Sequence, residues 1–117
     1  MLSGKHLIAG QWVAAPSTFR SATVNNTGAD FSVGRVEDVN AAVAAAEAAF
    51  DVFGYSSRAS RAAFLNQIAD EIDALGDEIT EVGCAETGLP EARLIGERGR
   101  TTAQLRLFAQ RILEGYY

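Results

Sequence analysis

VEDVNAAVAAAEAAFDVF, residues 36–53, is where this sequence changes period. Val36, Val39, Val43, Ala46, Phe50 and Phe53 recur at steps of three and four, the spacing that aligns side chains on one face of an α-helix. The alanines between 41 and 49 add helix propensity, and Gly54 offers a stop. The expectation is an amphipathic helix whose apolar face packs into a core.

Upstream, the stretches HLIAGQWVAA (6–15) and TFRSATVNN (18–26) flank a turn signal at Ala15-Pro16-Ser17. They read as two strands, 6–13 and 18–25, paired as one hairpin. NNTGADFSVGR (25–35) is rich in Asn and Gly and reads as a loop. Downstream, Ser57 or Ser60 can cap a second helix with a stripe of Phe64, Leu65, Ile68, Ile72 and Leu75, ended by Gly76. Asp77 can cap a short third helix that stops near Gly88. Pro90 suits the first position of a fourth helix over 90–114. The fold class is therefore mainly α with a small N-terminal β-hairpin, divided into a hairpin and loop (1–35) and a helical segment (36–117).

The chain has 117 residues, 48% apolar and 21% charged, a composition that suits one folded domain and not a disordered chain. Its net charge of -5 argues against a general nucleic-acid partner, which needs clustered Lys and Arg. No apolar run approaches a membrane span or a signal peptide. Cys84 is the single cysteine, so no intrachain disulfide forms and a reducing cytoplasm is expected.

Catalytic candidates are few. Cys84 lies among Val82, Gly83 and Ala85 with Glu81 and Glu86 close in sequence; adjacent acids disfavour a thiolate, so it reads as a small packed side chain. His6, the single histidine, cannot complete a metal site with Cys84. Asp70, Glu71, Asp73, Asp77 and Glu78 read as a solvated helix face. No glycine loop follows a strand to cradle a phosphate. From its own residues the chain has no catalytic, metal or cofactor site.

The unusual stretch is GERGRTTAQ, residues 96–104, where two glycines and two arginines interrupt the fourth helix. Ala92, Gly96, Gly99 and Ala103 fall on one narrow stripe, which leaves room for another backbone or a ligand. Arg100 borders that stripe with Arg93, Glu97 and Gln104, and an i, i+3 link to Glu97 would suit it. Arg98 points to the opposite side, towards Leu94, Leu105 and Ile112, where its charge needs a partner or a path to water.

Residues 36–108 resemble the N-terminal part of the aldehyde dehydrogenase superfamily. The likeness rests on VEDVNAAVAAAEAAFDVF, on SRAAFLNQIADEIDALGDEI (60–79) and on CAETGLPEARLIGERGRTTAQLRLFA (84–109), with LIAGQWV (7–13) fitting the opening strand. The segment 88–109 resembles the branch that oxidises 2-oxoglutarate semialdehyde (2,5-dioxopentanoate) with NADP or NAD. NNTGADFSVGR lacks the proline of the family's turn and is short, a departure from the family pattern that leaves its second strand open there.

The resemblance implies an incomplete N-terminal part of the family's α/β fold. Family enzymes are about four times longer, beyond single-domain size. It also implies that nucleophile, general base, oxyanion donors and coenzyme strands belong to other parts of that fold. Cys84 does not match the nucleophile's motif. The chain alone is then inactive, and its uncovered apolar faces favour self-association or a homo-oligomer. The same resemblance puts GERGRTTAQ near the mouth of the substrate tunnel. It makes Arg100 first, and Arg98 second, substrate-binding candidates for the carboxylate of an oxo-acid aldehyde. A stand-alone helical binding or assembly module without catalysis is the alternative.

Overall fold

The computed structural model describes residues 3–23 and 28–115. The chain divides into two compact units, Met1–Tyr55 and Ser56–Tyr117.

In the first unit, β1 (His6–Ile8) and β2 (Gln11–Val13) pair antiparallel, with His6 opposite Val13 and Ile8 opposite Gln11. The segment expected as one strand thus folds back on itself. Ala9 and Gly10 both have positive φ, 49° and 77°, as a two-residue hairpin turn requires. β3 (Thr18–Arg20) pairs antiparallel with β4 (Asp30–Ser32), whose residues were expected in a loop. The Phe19 and Phe31 rings stack across this pair at 5.9 Å between centroids. So the expected pairing of 6–13 with 18–25 is replaced by two local hairpins, and residues 24 and 25 lie outside the described residues. Buried Ser32 joins them: its N–H donates to the Gly4 carbonyl at 2.7 Å, and its hydroxyl accepts from Ala15 N–H at 3.2 Å.

α1 (Val36–Phe53) begins as expected and ends at Gly54. Its start is fixed by Asp38. The Asp38 carboxylate accepts from Arg35 N–H at 3.0 Å and from the Arg35 guanidinium at 2.9 and 2.8 Å. These bonds, side chain first and backbone second, hold the Asp38 carboxyl well below its ordinary 3.8, at about 2, with His6 adding to the same direction. The apolar stripe of α1 is not core. Val36, Val39, Val43, Phe50 and Phe53 are 71%, 59%, 63%, 60% and 46% exposed. Within the described part of this unit α1 packs on β1, and a three-residue strand is too short to cover five helical turns.

The second unit is three helices: α2 (Arg58–Ala74), α3 (Gly76–Thr87) and α4 (Glu91–Glu114). Ser57 caps α2, its hydroxyl accepting from Ser60 N–H at 3.0 Å. α2 and α4 run antiparallel. The Arg58 guanidinium lies beside Gly115, Asp70 and Asp73 each bind Arg106 at 2.8 Å, and Gly76 meets Arg98. Fully buried apolar positions among the described residues are Ala62, Ala69 and Ala109, joined by Thr102. Small side chains let the two helices approach closely. The α2 stripe is therefore centred on alanines: Leu65, Ile68 and Ile72 flank the seam half-buried, while Phe64 and Leu75 are exposed.

Gly76 does not end α2, and Asp77 does not cap α3. Leu75 alone separates the two helices, Gly76 is the first residue of α3, and no side chain caps it. Gly88 stops α3 with φ of 71°, and Pro90 serves as the N-cap of α4, its carbonyl accepting from Arg93 and Leu94. No helix among the described residues is long and apolar enough to cross a membrane.

Asp38 generates a test. A carboxyl with a lowered folded pKa adds stability above its unfolded value near 3.8, and that stability disappears as pH falls through about 2. The protection of amides in the first turn of α1, relative to their intrinsic exchange at each pH, is expected to fall as pH drops from about 4 towards 2. Asp38→Asn should expose those amides at every pH and remove the dependence. Protection that stays constant over that range in the wild-type chain contradicts the account.

Candidate functional site

α4 carries the residues in question. From Pro90 onward the helix turns its alanine seam, Ala109 and Thr102, towards its own unit, and this leaves Ala92, Gly96, Gly99 and Ala103 facing outward. A Cβ added to Gly96 or Gly99 would meet nothing within 4 Å. The expected small-residue stripe is present, and it faces open space.

Two hollows lie along it. One of about 400 Å³ is lined by Glu97, Arg100, Thr101, Gln104, Leu105 and Phe108. The next, of about 320 Å³, is lined by Ala92, Arg93, Gly96, Glu97 and Arg100. Every one of these residues belongs to α4, so each hollow has a floor and no facing wall. Arg100 and Glu97 are shared by both. The expected Glu97–Arg100 link does not form. Glu97 pairs instead with Arg93 at 2.7 Å, the favourable i, i+4 spacing, and Arg93 Nε also donates to it at 2.8 Å. Glu97 is thereby occupied, and among the described residues Arg100 has neither an ion pair nor a hydrogen bond. With Arg93 and Glu97 cancelling, the hollows carry one net positive charge in a chain whose total is -5. Such a spot attracts an anion, and a guanidinium can grip a carboxylate with two parallel bonds.

Arg98 sits on the other side of α4, half-buried. It donates to the Gly76 carbonyl and, at 2.6 Å, to the Thr80 hydroxyl. The structure thus separates the two arginines that the sequence brings within one turn. Arg100 is free to meet a ligand, and Arg98 is engaged inside its unit.

The other candidates stay apart. Cys84 is half-buried on α3 beside a hollow that it shares with Thr80 and the carboxylates of Asp77, Glu81 and Glu91, and no histidine lines that hollow. Asp70 and Asp73 are bound by Arg106 across the helix pair, a contact that sequence spacing does not reveal. His6 belongs to the first unit. It lines a hollow of about 230 Å³ with Ile8, Gly34, Asp38, Val39 and Ala42, and its Nε2 is buried with no hydrogen-bond partner among the described residues. No group of three metal-binding side chains occurs among the described residues.

The comparisons fit this architecture. The model of the aldehyde dehydrogenase family matches residues 12–116. The chain belongs to the aldehyde dehydrogenase family. It is 54% identical over 87 residues to alpha-ketoglutaric semialdehyde dehydrogenase 2 of Azospirillum brasilense, covering 74% of this chain and 17% of that protein. It is 43% identical over 117 residues to alpha-ketoglutaric semialdehyde dehydrogenase of Acinetobacter baylyi, covering 97% of this chain and 22% of that protein. Among solved structures it resembles a NAD-dependent benzaldehyde dehydrogenase from Corynebacterium glutamicum, with a TM-score of 0.85 and 25% identity over 96% of this chain and 25% of that one. This chain therefore spans about a fifth of the curated relatives, 17% and 22%.

The family implies a nicotinamide coenzyme, and the described residues do not suit one. A dinucleotide pyrophosphate needs a strand, a glycine-rich turn and an open helix N-terminus. α1 is the helix that follows a strand here, and its first turn holds the Asp38 carboxylate beside Glu37. A phosphate would meet an anion there.

The open stripe makes a test of sign. Each glycine in a helix interior costs roughly 1 kcal/mol relative to alanine, and a methyl at 96 or 99 has room. Gly96→Ala and Gly99→Ala are each expected to raise the stability of the chain by up to about 1 kcal/mol in urea unfolding. Destabilisation by either would show that the stripe is covered.

Proposed function

We propose that this sequence forms the N-terminal portion of an NAD(P)-dependent aldehyde dehydrogenase that oxidises 2-oxoglutarate semialdehyde to 2-oxoglutarate, in a reducing cytoplasm. The observation that carries the reading is the 54% and 43% identity to two proteins named for that semialdehyde. The overall reaction adds water to the aldehyde carbon and removes a hydride and two protons, leaving a second carboxylate. The coenzyme accepts the hydride. Nothing in the described residues is suited to that step or to nucleophilic attack, so both are assigned to other parts of the family fold.

The contribution of this portion is recognition. The substrate carries a carboxylate remote from its reacting carbon. A fixed cation that binds it selects the oxo-acid aldehyde over a neutral aldehyde of the same length. Arg100 suits that role: it is exposed and unpaired among the described residues, and it borders two hollows beside a glycine stripe that lets a chain-like molecule pass close to the helix. The facing wall of those hollows, and the cover over Val36, Val43 and Phe50 on α1, belong in this reading to the rest of the enzyme. The exposure of those side chains supports a portion of a larger fold over an independent helical module.

Arg100→Met in an enzyme of family length is expected to lower kcat/KM for 2-oxoglutarate semialdehyde about 10- to 100-fold, the size of one lost charge-assisted contact of roughly 1.5–3 kcal/mol. A neutral aldehyde of similar length should change by less than about twofold. Equal loss for both substrates, or none, removes Arg100 from recognition.

The 117-residue chain by itself is expected to reduce neither NAD nor NADP with this substrate above a protein-free blank. Turnover abolished by Cys84→Ala would overturn that expectation. The chain should also sediment as an associating species, because Phe50, Phe53, Phe64 and Phe108 are between 46% and 60% exposed. A strictly monomeric species at high concentration contradicts this.

A further inference from the structure

Arg98 is a charged group to which the carboxylate reading of Arg100 gives no role. Its Nη1 donates to the Gly76 carbonyl and to Thr80 Oγ1 at 2.6 Å, and the buried Thr80 hydroxyl donates in turn to the same carbonyl at 2.9 Å. No carboxylate among the described residues pairs with it. Its seat exists because residue 76 has no side chain: a Cβ there would stand 2.7 Å from Arg98 Cζ and 2.9 and 3.0 Å from the guanidinium nitrogens. Gly76 has no positive φ, so the glycine serves this close approach and not a turn. The contact joins α4 to the α2–α3 junction across 22 positions of sequence.

Helical geometry turns that contact into a statement about Arg100. Residues two apart lie about 200° apart around a helix axis. A side chain at 98 held against α3 therefore directs residue 100 to the opposite side of α4.

We propose that Arg98 is a positioning residue: seated over Gly76 and held by Thr80, it fixes the rotation and slide of α4 on α2 and α3, and so the direction in which Arg100 faces. The consequence for substrate rests on the carboxylate reading of Arg100; the positioning itself does not. Arginine suits the seat because a flat guanidinium lies against backbone and donates to two oxygens at once, where a strongly hydrated ammonium makes a poorer fit.

The test uses the full chain in a Cys84→Ser background, with spin labels at Gln67→Cys on α2 and Gln104→Cys on α4 and the interlabel distance read by pulsed electron resonance. Arg98→Met and Gly76→Ala are expected to shift or broaden the distance distribution alike, with helical content retained. Together they should lower the urea midpoint little more than the stronger of the two alone, because both empty one seat. Arg98→Lys should not restore the distribution.

Thr80→Val and Thr80→Ser give a milder pair in case the first variants unfold: valine should shift the distribution and serine should not. An unchanged distribution in Arg98→Met, Gly76→Ala or Thr80→Val overturns the proposal and leaves Arg98 a stabilising contact only. Additive midpoint shifts overturn it too. These distances involve no substrate, so they are read independently of the kinetics of Arg100→Met.

Discussion

The close approach of α2 and α4 along Ala62, Ala69 and Ala109 is the constraint on which the second unit depends. Alanines bring little apolar area, so the seam gains less from hydrophobic transfer than a leucine seam would. What it gains is proximity. Two helices packed on methyl groups bring their polar flanks within reach, which is how Arg106 spans to Asp70 and Asp73 and how Arg98 reaches the junction at Gly76. The Arg106 pairs are exposed and add little stability.

The same small-residue logic appears twice on α4, with opposite outcomes. Ala109 and Thr102 face α2 and are filled by it. Ala92, Gly96, Gly99 and Ala103 face outward, and among the described residues nothing comes within 4 Å of a Cβ placed at Gly96 or Gly99. A glycine stripe that stabilised only this unit would have an unexplained helix cost, since alanine fits at both positions. The cost is understandable if close approach from outside matters more than helix propensity. On α1 the apolar stripe raises the same question with larger side chains, and again the short strands of its own unit give no answer.

Much of this was legible in the sequence, for local reasons. Helix period, a serine cap at Ser57 or Ser60 and the stops at Gly54 and Gly88 depend on neighbours within a turn or two and are readable, the structure choosing Ser57. The family was readable because several weak motifs kept their order. Strand pairing was not, because residues 6–13 alternate as well in one strand as in two three-residue strands around Ala9-Gly10. Periodicity also names a face without naming its partner. It marked Val39 and Phe50 as apolar-faced but could not say that the described chain leaves them uncovered. Gly76 reads as a helix stop in the sequence because the group it accommodates, the Arg98 guanidinium, lies 22 residues away.

The starts of α1 and α4 bear on the proposed role of this portion, recognition without a coenzyme site. At α1 the Arg35 amide and guanidinium are already turned to Asp38, and the carboxyl is held at about 2, so the charge is satisfied within the chain and stays negative at any physiological pH. At α4 the first turn carries Glu91 behind Pro90, and the anion-seeking group is displaced to Arg100, more than two turns along the helix. At these two helix starts an acid therefore stands where a phosphate would approach. The cation left for an external ligand is a side chain on the flank of a long helix. A flank can read one carboxylate on a passing substrate, but a pyrophosphate needs converging amides. In the proposed reading this portion contributes selection by charge, with the reacting carbon held elsewhere.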